Sequence, residues 1–573
     1  MKLLLLTHAF NSLAQRLFVE LTADGHEVSV ELDIADAVTE EAVAAWNPDV
    51  VIAPFLKRRI PESVWSRRLC LVVHPGPPGD RGPSALDWAI HDGAAAWGVT
   101  VLQATGDYDA GPVWAARAFA LRPDASKSSL YRHEVVEAAL GALREALARW
   151  TPGAVGGGTA PPDGRWRPMM TQAERAIDWS RDATADALRR LRAADGTPGV
   201  ADALFGAPAQ LFDAHPASAA DLARAPAGAP GAVVARRGPA LLRRTVDGAL
   251  WIGHVRRRRG EGEPTLKLAA TRAFAAEAAA LPELAVPLER DEATWDELRY
   301  REVGPPGARA GLLSFDFHNG AMSLRQCRRL EAALHEVAQR SVRVLVLDGG
   351  ADFFSNGIHL HEIEAAQLEG GSAADASMAH IEAIDDVVLA ILSRTDRWVV
   401  AALRGNAGAG GCFLALAADT VWAHGGVVQN PHYRNMGNLH GSEYWTYLLP
   451  RRVGEAAARE LMRARLPMGA PEAHARGLVD AVLTPSREGF EAAVQARALA
   501  LADSSELAAR IADKAARRAA DEAARPLAAY RAEELALMHR NFYGFDASYH
   551  VARHHFVHRK PHAWTPRHLA RHR

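Results

Sequence analysis

Cysteine is scarce in this chain: 573 residues hold three, Cys70, Cys327 and Cys412, none in a Cys-x-x-Cys pair. That excludes a disulfide framework and a cysteine-built zinc or iron-sulfur site, and it suits a reducing cytoplasm. Long apolar runs are missing too. The opening run from Met1 to Thr7 is too short for a signal peptide and is broken by His8, and no later run approaches the roughly 20 residues of a membrane span. An excess of one charge is also absent. The formal net charge of -2 leaves no global basic field for nucleic acid, although Arg and His gather near the C-terminus. The expectation is a soluble cytoplasmic protein with neither nucleic acid nor membrane as partner.

What is present is ordinary globular material, 49% hydrophobic and 23% charged, with a length that suits roughly three or four domains. Short apolar runs at 2–7, 27–31, 50–53, 69–73 and 100–104 alternate with helix-like stretches such as 12–23, the β-α-β signature of a parallel sheet. A Gly- and Pro-rich stretch over 151–164 reads as a linker. Beyond it, a short helix around 183–194 and apolar runs up to Ala269 predict a small β-rich domain. A charged, proline-containing connector follows over 283–308, and a second α/β block opens at Gly311. From about Glu488 the pattern is helical, with a break at Pro526, and residues beyond Pro561 are expected to be disordered.

The first chemistry-bearing run is Leu69-Cys70-Leu71-Val72-Val73-His74-Pro75-Gly76, continuing through Arg81-Gly82 to Trp88-Ala89-Ile90. It sets His74 at the end of an apolar strand, where open α/β sheets bind ligands. The strand ending near Ala104 then leads to Asp109-Ala110-Gly111, a carboxylate expected on the same edge. A converging His and Asp suit general acid-base transfer of an acyl group, with Asp109 orienting His74 and Arg81 as a fixed charge. Taken singly they also fit plain loop and turn residues. In order, with Gly98-Val99-Thr100 between them, these positions resemble the 10-formyltetrahydrofolate-dependent formyltransferases. One departure is plain: that family's catalytic Asn, two residues before the His, is Val72, which removes the usual side-chain donor to the oxyanion. Pro168 to Trp179 is similar to the start of that family's small C-terminal barrel, so the resemblance spans roughly 1–275.

Two further strand-end loops, Ser355-Asn356-Gly357-Ile358-His359 and Gly408-Ala409-Gly410-Gly411-Cys412, could aim two backbone N–H groups at one carbonyl oxygen. They resemble the oxyanion-hole motifs of the crotonase, or enoyl-CoA hydratase/isomerase, family. That resemblance implies Ile358 and Gly410 as the donors, with Gly357 and Gly411 beside them. His359 and Ala409 depart from the motif. The two hydratase carboxylates are replaced by Phe413 and Tyr433, which argues against hydration. Glu443 stands where the family has small residues. Tyr433 and Glu443 are therefore the expected proton-handling pair, with helix capping the rival role for Glu443. The histidine-rich tail over 538–560 matches no standard ligand motif, so no metal is assigned, and a basic surface or a cap over coenzyme A is the reading preferred.

Together with the segment from Gly441 to Tyr447, the two halves resemble the HypX/HoxX family of nickel-iron hydrogenase maturation factors over nearly the whole chain. The resemblance implies an α/β fold in four parts. These are a formyltransferase-like parallel sheet over 1–155, an OB-like barrel domain over 165–280, a linker over 281–305, and a crotonase-like ββα superhelix with a helical tail over 306–560. It also implies 10-formyltetrahydrofolate and coenzyme A as small-molecule substrates, formyl-CoA as the shared intermediate, and carbon monoxide delivered to the hydrogenase Fe(CN)2CO centre, with hydrogenase maturation proteins as partners. A formyltransferase fused to another acyl-CoA hydratase or hydrolase, and a non-catalytic scaffold, are the alternatives.

Overall fold

The computed structural model describes residues 1–573 except 259, 261 and 263. The chain divides into two compact units, Met1–Leu284 with Pro561–Arg573, and Ala285–Lys560. Among the described residues, no helix is long and apolar enough to cross a membrane.

The first unit opens on a six-stranded sheet in the order Glu27–Leu32, Lys2–Thr7, Val50–Phe55, Leu69–His74, Ala96–Gln103, Val113–Ala120. The central strands are apolar at nearly every position, as strands covered on both faces must be. The helix Ser12–Ala23 is started by Asn11, whose side chain accepts the Ala14 N–H, and it buries Leu13, Leu17 and Leu21. The first four strands pair in parallel, but Ala96–Gln103 pairs antiparallel with both its neighbours, Leu69–His74 and Val113–Ala120. The expected parallel sheet is present in those four strands, with the last two as an antiparallel extension. The connection between those two strands is too short for the dozen or more residues that a parallel crossover takes.

A second, antiparallel sheet follows, in the order Val233–Arg237, Ala240–Arg244, Ala249–Arg257, Ala207–Pro216, Val200–Leu204, with Leu268–Ala269 paired to Ala249–Arg257. The stretch 151–164 is more than a linker: Thr159 pairs with Val113, and Arg165–Trp166 pairs with Asp80–Arg81.

Residues 561–573 are ordered, against expectation. Leu569 accepts the Val30 N–H (3.0 Å), Thr565 Oγ1 accepts the Leu32 N–H (2.8 Å), and His572 Nε2 lies 2.7 Å from Glu31 Oε2. Glu31 is fully buried. A carboxylate inside a strand otherwise made of core residues needs such partners, and a tail with Thr, His and Arg at the right spacing supplies them.

The second unit stacks ββα turns. Its main sheet runs Leu298–Val303, Ala310–Phe315, Val344–Gly349, Trp398–Leu403, Thr420–His424, Ala481–Leu483. Short strands after three of these, Phe353–Ser355, Asn406–Gly408 and Val428–Asn430, form a second sheet with Met468–Gly469. Leu298–Val303, inside the stretch expected to be a connector, pairs antiparallel with Ala310–Phe315. The helical C-terminal part is broken three times, at 504–506, at Arg525–Pro526 and at 544–547, where only the break at Pro526 is expected from the sequence. Pro526 is the N-cap of Leu527–Tyr543, a position where its missing N–H costs nothing.

Candidate active sites

In the first unit His74 ends its strand and is buried. Its Nδ1 lies 3.5 Å from Asp109 Oδ1, and its Nε2 lies 2.9 Å from Asp80 Oδ2. The predicted convergence of His74 and Asp109 is present, but by a different route. Gln103, the last residue of its strand, pairs with Leu71, three positions short of His74, so the loop over 104–112 doubles back to deliver Asp109. Asp109 takes a left-handed backbone there, φ 51°, and its Oδ2 accepts the Gly82 N–H (3.0 Å). Arg81 donates through its guanidinium to the Tyr108 carbonyl oxygen (3.0 Å), so it braces the loop that carries Asp109.

Asp80 was not predicted. The imidazole is clamped between two carboxylates, and the spacing His-x-x-x-x-x-Asp across a Pro/Gly turn was the available signal. A cavity of about 200 Å3 opens beside them, lined by Asp80, Arg81, Thr100 and Asp109 on one side and by residues Pro161–Gly164 on the other. Val72, two residues before His74, packs on an apolar cluster. The arrangement can hold a proton on His74 and pass it across the cavity mouth.

In the second unit the predicted residues converge. Gly357 has φ 78°, a left-handed backbone that glycine adopts freely, and a methyl group placed on it would lie 3.4 Å from Gly410 N. Gly410 is the first residue of the helix Gly410–Leu416, and so carries one of the N–H groups with no acceptor inside the helix. A side chain on Gly410 would collide with Glu443 Oε1, which places that carboxylate against Gly410, one of the two expected oxyanion-hole donors. Ile358 adjoins Gly357 in a two-residue strand paired with Ala321–Met322, and Gly411 packs against the Ser355 carbonyl. His359, which departs from the family pattern, caps the next helix by accepting the Glu362 N–H at Nδ1 (3.2 Å). Burial lowers its pKa, which keeps it a neutral acceptor.

Glu443 is fully buried. Its Oε2 accepts from Tyr433 Oη in a very short hydrogen bond, from Ser442 Oγ (3.0 Å) and from the Ser442 N–H (3.2 Å). Burial pushes Glu443 up to about 7, against the lowering effect of these donors. Burial, and then the neighbouring Glu443, drive Tyr433 well above its ordinary value. The ring of Phe413 stacks on that of Tyr433 with centroids 5.3 Å apart and 14° between planes, so the two substitutions for hydratase carboxylates form one apolar wall.

The rival role for Glu443 belongs to another residue. Glu534, from Leu527–Tyr543, caps Trp445–Val453 by accepting the Tyr444 N–H (2.9 Å) and the Thr446 N–H (2.8 Å). Asp385 accepts the Glu443 N–H (2.7 Å) and fixes the left-handed backbone of Glu443 and Tyr444. Neither Asp385 nor Glu534 was legible, since each lies on a distant helix in a pattern that reads as solvated charge.

Comparisons with known proteins match these parts in order. The family described as "Formyl transferase" matches residues 26–146, "Formyl transferase, C-terminal domain" matches 169–270, and "Enoyl-CoA hydratase/isomerase" matches 311–567. The hydrogenase maturation factor HoxX of Bradyrhizobium diazoefficiens is 52% identical over 581 residues, covering 100% of this chain and 97% of that protein. The crystal structure of HypX from Aquifex aeolicus in complex with tetrahydrofolic acid is 43% identical with a TM-score of 0.93, over 100% of this chain and 99% of that one. The methionyl-tRNA formyltransferase of Myxococcus xanthus is 31% identical over 201 residues, 34% of this chain and 61% of that protein.

Proposed function

The chain belongs to the HypX/HoxX family of hydrogenase maturation factors, and from that premise we propose that it moves a formyl group from 10-formyltetrahydrofolate to coenzyme A and then releases carbon monoxide from formyl-CoA for the iron centre of a nickel-iron hydrogenase. The first unit performs the transfer. The cavity beside His74 takes the formyl-folate, in keeping with the tetrahydrofolic acid bound by the Aquifex aeolicus relative. His74, oriented by Asp80 and Asp109, takes the proton of the CoA thiol as sulfur bonds to the formyl carbon, and returns it to the folate nitrogen as the carbon-nitrogen bond breaks. With Val72 where a side-chain donor would stand, positioning and proton transfer carry this step.

The second unit performs the release. The N–H groups of Ile358 and Gly410 hold the thioester oxygen. Glu443, aimed across Gly410, takes the formyl proton, the carbon-sulfur bond breaks to leave carbon monoxide, and Tyr433 passes a proton to the departing sulfur. Atoms balance, because the hydrogen lost by the formyl carbon is the hydrogen gained by the thiol. Hydration is disfavoured because the wall made by Phe413 and Tyr433 leaves no second carboxylate to activate water.

The observation that carries this reading is the buried Glu443 carboxylate, raised to about 7 and pressed against Gly410. Purified protein given 10-formyltetrahydrofolate and CoA, with haemoglobin to trap and report carbon monoxide, tests it. Carbon monoxide should require both substrates, and Glu443→Gln should abolish it while formyl-CoA accumulates. Unchanged carbon monoxide release by Glu443→Gln sinks the assignment.

A further inference from the structure

The helix Ser548–Val557 carries a cluster that the proposed chemistry does not use. Glu364, buried on the helix Leu360–Leu368, faces it. Glu364 Oε2 accepts from Arg553 Nε at 2.9 Å, while Oε1 lies 3.2 Å from His554 Nδ1 and 2.9 Å from His558 Nε2. His554 and His558 are four residues apart, and the His558 N–H donates to the His554 carbonyl oxygen (3.0 Å), so the helical turn runs through both. Residues at that spacing share one helix face, and their rings lie 4.2 Å apart between centroids.

One carboxylate oxygen and two imidazole nitrogens thus lie within 4.8 Å of one another. Around a tetrahedral ion with bonds of about 2.0 to 2.2 Å, ligand atoms sit about 3.4 Å apart. Glu364 Oε1 stands 3.2 Å and 2.9 Å from the two nitrogens, close to that spacing, and the nitrogens lie within 4.8 Å of each other.

We propose that Glu364, His554 and His558 form a binding site for a zinc-class divalent cation, which staples the helix Ser548–Val557 to the helix Leu360–Leu368. Two imidazoles and one carboxylate suit a borderline cation better than calcium or magnesium, which take oxygen ligands. Arg553 serves the site by holding the far carboxylate oxygen, which leaves Oε1 to the ion. The His554 side chain is 47% exposed, which provides an entry path and room for water as the fourth ligand. Both imidazoles must be neutral to ligate, so binding releases protons and weakens as pH falls. The sequence pattern hid the site because Glu364 stands 190 residues before His554.

The test uses the full chain, stripped with a chelator and titrated at pH 7.5 with Co2+ and, by competition against a chromophoric chelator, with Zn2+. The expected result is one Co2+ per chain with the visible absorption of a tetrahedral site, and a Zn2+-dependent rise in unfolding temperature. Affinity should fall at least tenfold in Glu364→Gln and in His558→Ala. His554→Ala, at a half-exposed position, guards against loss of fold and should weaken binding likewise. With 24 histidines in the chain, the deciding control is the His554→Ala/His558→Ala double variant. Binding equal to that of the unaltered chain, or no saturable binding by the unaltered chain, would overturn the proposal and leave the cluster as an ion-paired staple only.

Discussion

Asp385 is the residue on which the second site leans most heavily. It is fully buried, and its Oδ1 accepts the Glu443 N–H, while Oδ2 has no hydrogen-bond partner and lies 3.7 Å from Arg531 Nε. Burial first, then the nearby Glu443 and Glu534, push its pKa well above the ordinary range and so favour its neutral acid form. Asp385→Asn, which keeps the acceptor and adds no charge, should therefore retain most carbon monoxide release. Asp385→Ala, which strips the left-handed backbone of its anchor, should lower kcat by about 10- to 100-fold, the worth of about 1 to 3 kcal/mol for a buried unmet group. Equal losses in the two variants would remove Asp385 from this role. Glu443 adds a pH signature. In its proposed role as the base it must be ionised, so release should rise through an apparent pKa near 7, and that limb should vanish in Glu443→Gln. The stability effect has the opposite sign. Between the ordinary glutamate value near 4.5 and about 7 the native state binds the extra proton, so stability falls as pH rises through that window, as urea midpoints across it would register.

At the scale of elements, the turn entering Gly410–Leu416 holds strain. Ala409 has φ 47° and ψ −124°, backbone that favours glycine, at the position where related motifs carry glycine. Ala409→Gly should stabilise the protein by about 1 kcal/mol, read as a higher denaturant midpoint. Much at this scale was legible in the sequence. The strands at 2–7, 27–32, 50–55 and 69–74 are dense apolar runs bounded by turn residues, and they lie where the pattern put them. His74 with Asp109, and Gly357 with Gly410, were readable because each sits at a strand end inside a motif. Leu298–Val303 was not, since its alternating charges fit a solvated connector until Ala310–Phe315 is there to pair with it. Asp80 hid in a turn, and Asp385, Glu534 and Glu364 hid on helices whose charged positions gain meaning only from partners far away in the chain. Buried carboxylates of this kind are specified by tertiary contact, which local periodicity does not encode.

For the whole molecule, the decisive feature is that the first unit is assembled from both ends of the chain. Glu31 is satisfied by Thr565, His572 and Arg573, all from 561–573. Burial works to raise its pKa, but hydrogen bonds from His572, Thr565 and Arg573 outweigh that and hold it below the ordinary range. Its contribution to stability is therefore present above the ordinary glutamate value and lost as pH falls through the lowered one. Glu31→Gln should cost about 1 to 3 kcal/mol, seen as an earlier acid unfolding and as faster exchange of the Val30 amide, whose acceptor is Leu569. The same closure sets an order of events during synthesis. The strand Glu27–Leu32 leaves the ribosome well before residues 561–573, so its edge and its buried charge wait for them until the whole of Ala285–Lys560 has been made. The first unit thus cannot cover that edge or neutralise that buried carboxylate until the segment that follows the whole of the second unit has been made.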